Sequence, residues 1–287
     1  MHERRASAVL RMLGAAVSVQ AGASVAKSLF PELGPPGVVF LRLAFGSTAL
    51  WAIARPTLRG RPWHELRLLA ALGVVLVSMN VLFYESIARL PLGIAVTVEF
   101  LGPLGVAVLG SRRRLDFVWV VLAGLGVALL AEAGGKGVHP LGLLLAALAG
   151  VCWALYILLS VPVGRIYPGA SGLAPAMVLG AVLIAPWGIA SAGDGLRDVQ
   201  LVGAAAGVGL LSSALPWALE LEALRRLPTR VFGVVLSLEP AVAALAGVVL
   251  LHEHLHLRPW AGIALVVLAS AGAAIEPRRP PEVPVDV

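Results

Sequence analysis

Long apolar runs alternate with short polar breaks along the whole chain. Ten runs are long enough to read as helices that cross a bilayer: 9–29, 36–54, 67–87, 92–110, 116–133, 140–160, 172–191, 199–220, 230–251 and 259–275. A crossing helix needs roughly 20 mostly apolar residues. The breaks carry turn-forming residues, as at Pro31–Pro36, Arg59–Pro62, Gly134–Gly137, Tyr167–Gly169 and Gly193–Gly195. The Pro-rich polar stretch from Glu276 onward predicts a disordered tail. The first run, preceded by Arg4 and Arg5 and containing Arg11, has the look of a secretory leader. No cleavage site follows and many further spans do, so it is read as a retained first helix.

A short echo is set inside this pattern. Glu85-Ser86-Ile87-Ala88-Arg89-Leu90-Pro91 is answered by Glu222-Ala223-Leu224-Arg225-Arg226-Leu227-Pro228, and the same offset of 137 carries Pro103 onto Pro240. From Leu82 to Gly110 the ungapped match is 10 identities in 29 positions. Composition bias raises chance agreement, but it does not readily align Glu, Arg and two prolines. A duplicated unit with matched helix-breaking residues is how membrane carriers build a central site. The expected fold is therefore an all-α membrane protein of ten transmembrane helices in two five-helix repeats. They span 1–138 and 139–276, with a tail over 277–287.

Composition narrows the class further. The chain is 59% hydrophobic and 13% charged, with a mean hydropathy of +0.91. A soluble domain is about half apolar and about a quarter charged. The excess cannot be hidden inside a protein of 29.7 kDa, so lipid must be the solvent. The net charge of +6 is no nucleic-acid signal, because the arginines cluster at the ends of apolar runs. With the N-terminus inside, 15 Lys and Arg fall on the inner side and 4 on the outer, and Arg11, Lys27 and Arg42 lie within spans. This bias predicts cytoplasmic N- and C-termini. A five-span repeat then inverts its second copy. The charge follows: the Arg89 turn faces out, whereas its counterpart at Arg226 faces in and gains Arg225 and Arg230. The single cysteine, Cys152, allows no intrachain disulfide.

These residues resemble the drug/metabolite transporter superfamily, EamA type. The stretches Leu90–Pro103 and Arg225–Pro240 look most like its bacterial threonine/homoserine exporters. Ser111–Arg114, Ala26–Pro31 and Arg42-Leu43 fit the same pattern. The resemblance covers nearly the whole chain. It implies ten helices as two inverted repeats in a bacterial inner membrane, and proton-coupled export of small amino acids. It implies no enzyme activity and no cofactor. The expected partners are a small-molecule substrate, the bilayer and protons, with no nucleic acid, in a monomer or homodimer.

Ionisable groups inside lipid cost about 2.5–3.5 kcal/mol at mid-depth on insertion scales and are functional candidates by default. Glu99 lies about seven residues into its run, roughly 10 Å deep at 1.5 Å per residue. Glu239 lies about nine residues into its own. Each precedes a proline, Pro103 or Pro240, that should kink the helix and free a carbonyl four residues back. An acid beside a freed carbonyl can serve a proton or an ammonium group; the competing reading is a tolerated kink with the acid paired to a base. Lys27 and Arg42 are candidates for a substrate carboxylate. Against this, Lys27 can snorkel to the headgroups, and Arg42 can pair structurally with a glutamate. Glu85 and Arg89 suit an i,i+4 pair, and Glu220 suits a solvated boundary. Asn80, Gln20 and Tyr156 are the polar groups expected to line a cavity, since buried amides and hydroxyls need partners.

One motif stands apart. His252-Glu253-His254-Leu255-His256 fits H-E-x-x-H, which holds zinc when both histidines share a helix face. Here it falls in a turn with no third ligand in view, so no metal site is expected. The alternatives to amino-acid export are a carrier of another metabolite or drug, a membrane metallopeptidase, and a non-transporting subunit. The last gives the paired prolines and glutamates no purpose.

Overall fold

A computed structural model describes residues 2–109, 115–132, 139–224, 227 and 229–275. The Arg112–Arg114 triplet, the turn bearing Lys136, Arg225, Arg226, Pro228 and the tail from 276 lie outside the described residues. Helices joined by short turns make up the described residues, with no strand among them. The elements are α1 (His2–Ser28), α2 (Phe30–Ala54), α3 (Trp63–Ile87), α4 (Leu92–Glu99), α5 (Leu101–Leu109), α6 (Leu115–Glu132) and α7 (Pro140–Ile166). After these come α8 (Leu173–Ala192), α9 (Val199–Gly209), α10 (Leu215–Leu224), α11 (Thr229–Leu236), α12 (Glu239–Leu250) and α13 (Leu257–Ile275). Among the described residues, nine helices are long and apolar enough to cross a membrane, and Phe117–Leu130 is a shorter apolar helix.

Local chemistry explains the boundaries. Pro140 begins α7 and Pro31 stands in the first turn of α2, where a proline's missing N–H costs nothing. Asp198 caps α9, its Oδ1 accepting from the amides of Gln200 (2.8 Å) and Leu201 (3.3 Å). The helix α2 runs back through the Pro31–Pro36 segment, where a break between helices was expected. The helix starts at Phe30 and bends at Gly34, whose φ of 65° and ψ of 157° lie outside the helical region. Pro35 disfavours α geometry at the residue before it, and a positive φ suits glycine.

The fourth and ninth apolar runs are each split. α4 stops at Glu99, and Phe100 separates it from α5, with Pro103 one turn on. α11 stops at Leu236, Ser237 and Leu238 intervene, and Pro240 lies in the first turn of α12. Glu99 is thus the last residue of one half-helix and Glu239 the first of another. The eighth run is interrupted too, by a π-helical turn at Leu210–Ala214 that joins α9 to α10.

Packing interleaves the two ends of the sequence. The principal helix pairs include α1 with α10, α2 with α8, α3 with α7 and with α8, α4 with α12 and α6 with α13, each joining a helix before residue 138 to one after it. The outward faces are apolar. On α7, Leu141, Leu144, Leu148, Val151, Leu155 and Leu158 form an exposed stripe at helical spacing. Such a face is stable against hydrocarbon chains and not against water. Inside, α7 lies close on the α4–α5 break. A methyl group at Gly150 would come within 2.6 Å of the Glu99 carbonyl oxygen. That atom belongs to the backbone and cannot swing away, and overpacking of this kind costs about 1–3 kcal/mol. Gly150→Ala should therefore lower the thermal unfolding temperature in detergent by several degrees, while an unchanged midpoint would mean that the break tolerates a wider gap.

Candidate functional site

The half-helices, the π-turn and the central parts of α1, α2, α3 and α7 converge on a cavity of about 240 Å³. The first half of the chain contributes Gln20, Arg42, Asn80, Tyr84 and Glu99 to its wall. The second contributes Trp153, Tyr156, Ser212, Trp217, Glu220 and Glu239. Six of the seven ionisable or polar residues singled out from sequence therefore share one space. Both glutamates are buried, Glu99 at 7% and Glu239 at 6% exposure. Their place at helix breaks follows from the prolines, which keep the backbone from continuing a regular ladder there.

Arg42 is held on two sides. Its Nη2 donates to the Ser212 carbonyl oxygen at 3.0 Å, and its guanidinium lies 5.5 Å from the centroid of the buried Tyr84 ring. The π-turn makes the first contact available, because a wider turn takes a carbonyl out of the regular i→i+4 pattern. Among the residues lining the cavity, Arg42 is the one cation and Glu99, Glu220 and Glu239 are the acids. Asn80 turns its amide to the Leu76 carbonyl oxygen at 2.8 Å. Phe100, inside the α4–α5 break, meets Trp153 edge-on at 5.6 Å.

Unpartnered polar groups concentrate here. Gln20 Oε1, Arg42 Nε and Ser212 Oγ are buried without a hydrogen-bond partner. A buried polar group left alone costs about 1–3 kcal/mol. Three of them around one cavity, with charges of both signs, make a wall adapted to a small polar ligand.

Lys27 is not in the cavity. Its Nζ donates to Glu253 Oε1 and to the Leu90 carbonyl oxygen, both at 2.7 Å, and its side chain is 23% exposed. It is a partnered cation inside the bundle rather than a snorkelling one. Glu85 is engaged with Arg89 as an i,i+4 pair and is not among the residues lining the cavity. The side chain of Glu222, its counterpart in the echo, lies outside the described residues. Glu220, read from sequence as a solvated boundary residue, lines the cavity instead. Ser212 is the residue that sequence reasoning passed over, and Tyr84, open from sequence as either a cavity-lining or an interfacial group, lies in the wall. Tyr84 carried a weak signal as a phenol inside an apolar run; Ser212 carried none, because nothing in Leu-Leu-Ser-Ser-Ala announces a π-turn. In the H-E-x-x-H segment, Glu253 is turned to Lys27, and no group of three metal-ligating side chains forms among the described residues.

Known proteins place this arrangement. The threonine/homoserine exporter RhtA of Salmonella typhimurium strain LT2 is 44% identical over 278 residues, covering 96% of this chain and 94% of that one. RhtA of Escherichia coli K12 is 44% identical over 274 residues, covering 94% and 92%. An uncharacterized transporter of Archaeoglobus fulgidus is 29% identical over 249 residues, covering 82% and 87%. One crystal structure of a protein, 22% identical, shares the fold with a TM-score of 0.65 over 93% of this chain and 96% of its own. The sequence model of the EamA-like transporter family matches residues 140–275. With relatives this close over nearly their full lengths, the chain is a multi-pass membrane transporter and belongs to the EamA-like transporter family.

Proposed function

We propose that this transporter exports threonine, homoserine and similar small amino acids by alternating access, with proton uptake at a cavity carboxylate as the driving step. The observation that carries the reading is the cavity itself. A zwitterion needs a cation for its carboxylate and an acid for its ammonium group, and Arg42 lines one small space together with Glu99, Glu220 and Glu239. The volume of about 240 Å³ lies below the range of about 300–1,000 Å³ typical of drug-sized sites. A lone guanidinium also disfavours phosphorylated metabolites, which call for several bases. The curated relatives named as threonine/homoserine exporters point to the same substrates.

The architecture supporting this is ten spans in two inverted repeats, 1–138 and 139–276, with both termini cytoplasmic. Two features favour it besides the echo and the charge bias. The family's matched segment, 140–275, is one half of the chain. The pairing of the principal helices is also kept when the halves are exchanged. Span 1 against span 8 (α1 with α10) becomes span 6 against span 3 (α7 with α3), and the pairs α2–α8, α4–α12 and α6–α13 map onto themselves. A pseudo-two-fold axis in the membrane plane produces such a pairing. Proton coupling rests on the excess of carboxylates over bases in the cavity wall.

The test is efflux from proteoliposomes loaded with labelled threonine or homoserine under an imposed pH gradient. Efflux well above empty vesicles, abolished when the gradient is collapsed, is the expected result. No efflux of any amino acid tried would remove the substrate assignment, and efflux indifferent to the gradient would remove the coupling.

A further inference from the structure

Glu253 belongs to a motif that the transport reading leaves without a purpose, yet its carboxylate is among the best-engaged groups in the molecule. Oε1 accepts from Lys27 Nζ at 2.7 Å, and Oε2 accepts from the Leu92 backbone amide at 2.8 Å. Lys27 Nζ also donates to the Leu90 carbonyl oxygen at 2.7 Å. The Glu253 amide closes its own turn on the Gly247 carbonyl oxygen at 3.0 Å. Three segments remote in sequence are tied in one knot: the end of α1, the turn before α4, and the turn between α12 and α13. The Glu253 and Lys27 side chains are 12% and 23% exposed, so the pair is shielded from competing water.

The position of the knot gives it a purpose. Leu92 is the first residue of α4, and Glu99 in the cavity wall is its last. An anion at a helix N-terminus satisfies a free amide and complements the helix dipole. Glu253, from the second half of the chain, thus fixes the eight-residue half-helix on which Glu99 is carried. Between knot and cavity lies an aromatic layer. Phe30 and Phe83 flank Tyr84 with centroids at 5.9 and 5.8 Å, and Phe83 and Tyr84 form the cavity wall on that side. Toward the opposite end the wall continues to Leu173, Trp217 and Glu220. The aromatic layer thus stands on the Lys27 side of the cavity, which is the outer side in the orientation proposed above.

We infer that the Lys27–Glu253 pair, with its grip on Leu90 and Leu92, is the outer lock of the transport cycle. It holds the cavity shut toward the outside, sets the position of Glu99, and separates each time substrate leaves. Lys27 and Glu253 are positioning residues, since neither reaches the cavity wall. The inference rests on the alternating-access reading. Breaking such a pair by neutralising one partner is far more disruptive than its net worth suggests, because the other charge is stranded.

The test places spin labels on two exposed positions beside the lock, Glu32→Cys and His256→Cys, in a Cys152→Ser background, and measures their separation by pulsed EPR in liposomes. The unaltered lock should give one dominant short separation. Glu253→Gln and Lys27→Met should add a longer one, raising its population on the order of tenfold. Lys27→Arg, which keeps the charge and the reach, should restore the short distribution. Turnover of the broken-lock variants should fall while threonine binding is retained, a split that a general loss of packing would not produce. Folded Glu253→Gln and Lys27→Met proteins with the short distribution alone would overturn the lock. Should both variants fail to fold, the protein with Lys27 and Glu253 intact decides. During substrate-driven turnover the longer separation must appear, and turnover without it also overturns the lock. A labelled protein that transports no amino acid at all would strike the functional reading instead, and that outcome is distinct.

Discussion

Glu239→Gln is expected to bring pH-driven efflux down to the level of empty vesicles while the protein still purifies folded. Glutamine keeps the size and the hydrogen-bonding capacity of the side chain but cannot take up and release a proton. Glu239 is buried, opens α12 and faces the cavity, so the change falls on a group whose charge is costly to hold there. Folding should survive, because removing a buried charge removes its desolvation penalty along with it. The measurement is initial efflux of labelled threonine from matched proteoliposomes, with the thermal midpoint in detergent as a control. Efflux at the unsubstituted rate would eliminate Glu239 as the coupling group and shift that role to Glu99 or Glu220.

Arg42→Lys should weaken threonine binding by roughly 10- to 100-fold. The substitution keeps the charge but loses the planar fork, which alone can hold the Ser212 carbonyl oxygen and the Tyr84 face while presenting further donors. Hydrogen bonds to charged groups contribute about 1.5–3 kcal/mol, and about 1.4 kcal/mol is tenfold in affinity. Arg42→Gln should cost more, since it leaves the cavity wall with acids and no base. Labelled-threonine binding to purified protein reads both variants. Equal affinity in all three proteins would mean that the substrate carboxylate is held elsewhere.

Much of this was legible before any coordinates. Lipid forces apolar runs of fixed length, so the spans could be read directly, and the helix ends moved by only a few residues at most places. Proline cannot donate to the ladder, and that chemistry put helix breaks beside Glu99 and Glu239. The rule that buried ionisable groups need a reason found Arg42 and both glutamates. The rest depended on tertiary geometry that has no sequence period. The π-turn at Leu210–Ala214 lies in a Leu-rich run with ordinary residues on either side, so nothing marked Ser212 as the partner of Arg42. Lys27 and Glu253 are separated by 226 positions. From sequence each could be weighed only against its own surroundings, one as a snorkelling base and the other as part of a zinc motif. The bend of α2 shows the same limit. Proline pairs announce a break somewhere in Pro31–Pro36, but the choice of Gly34 depends on which backbone can take a positive φ against neighbouring α8.

The central claim is that one cavity between the two halves holds the substrate by both of its charges. A structure of the protein with threonine bound tests it most directly. The account places the amino acid in the cavity, with its carboxylate within hydrogen-bonding reach of Arg42 and its ammonium group turned to Glu99 or Glu239. Threonine bound outside this space, or lying in it with its carboxylate facing the glutamates, would contradict the account.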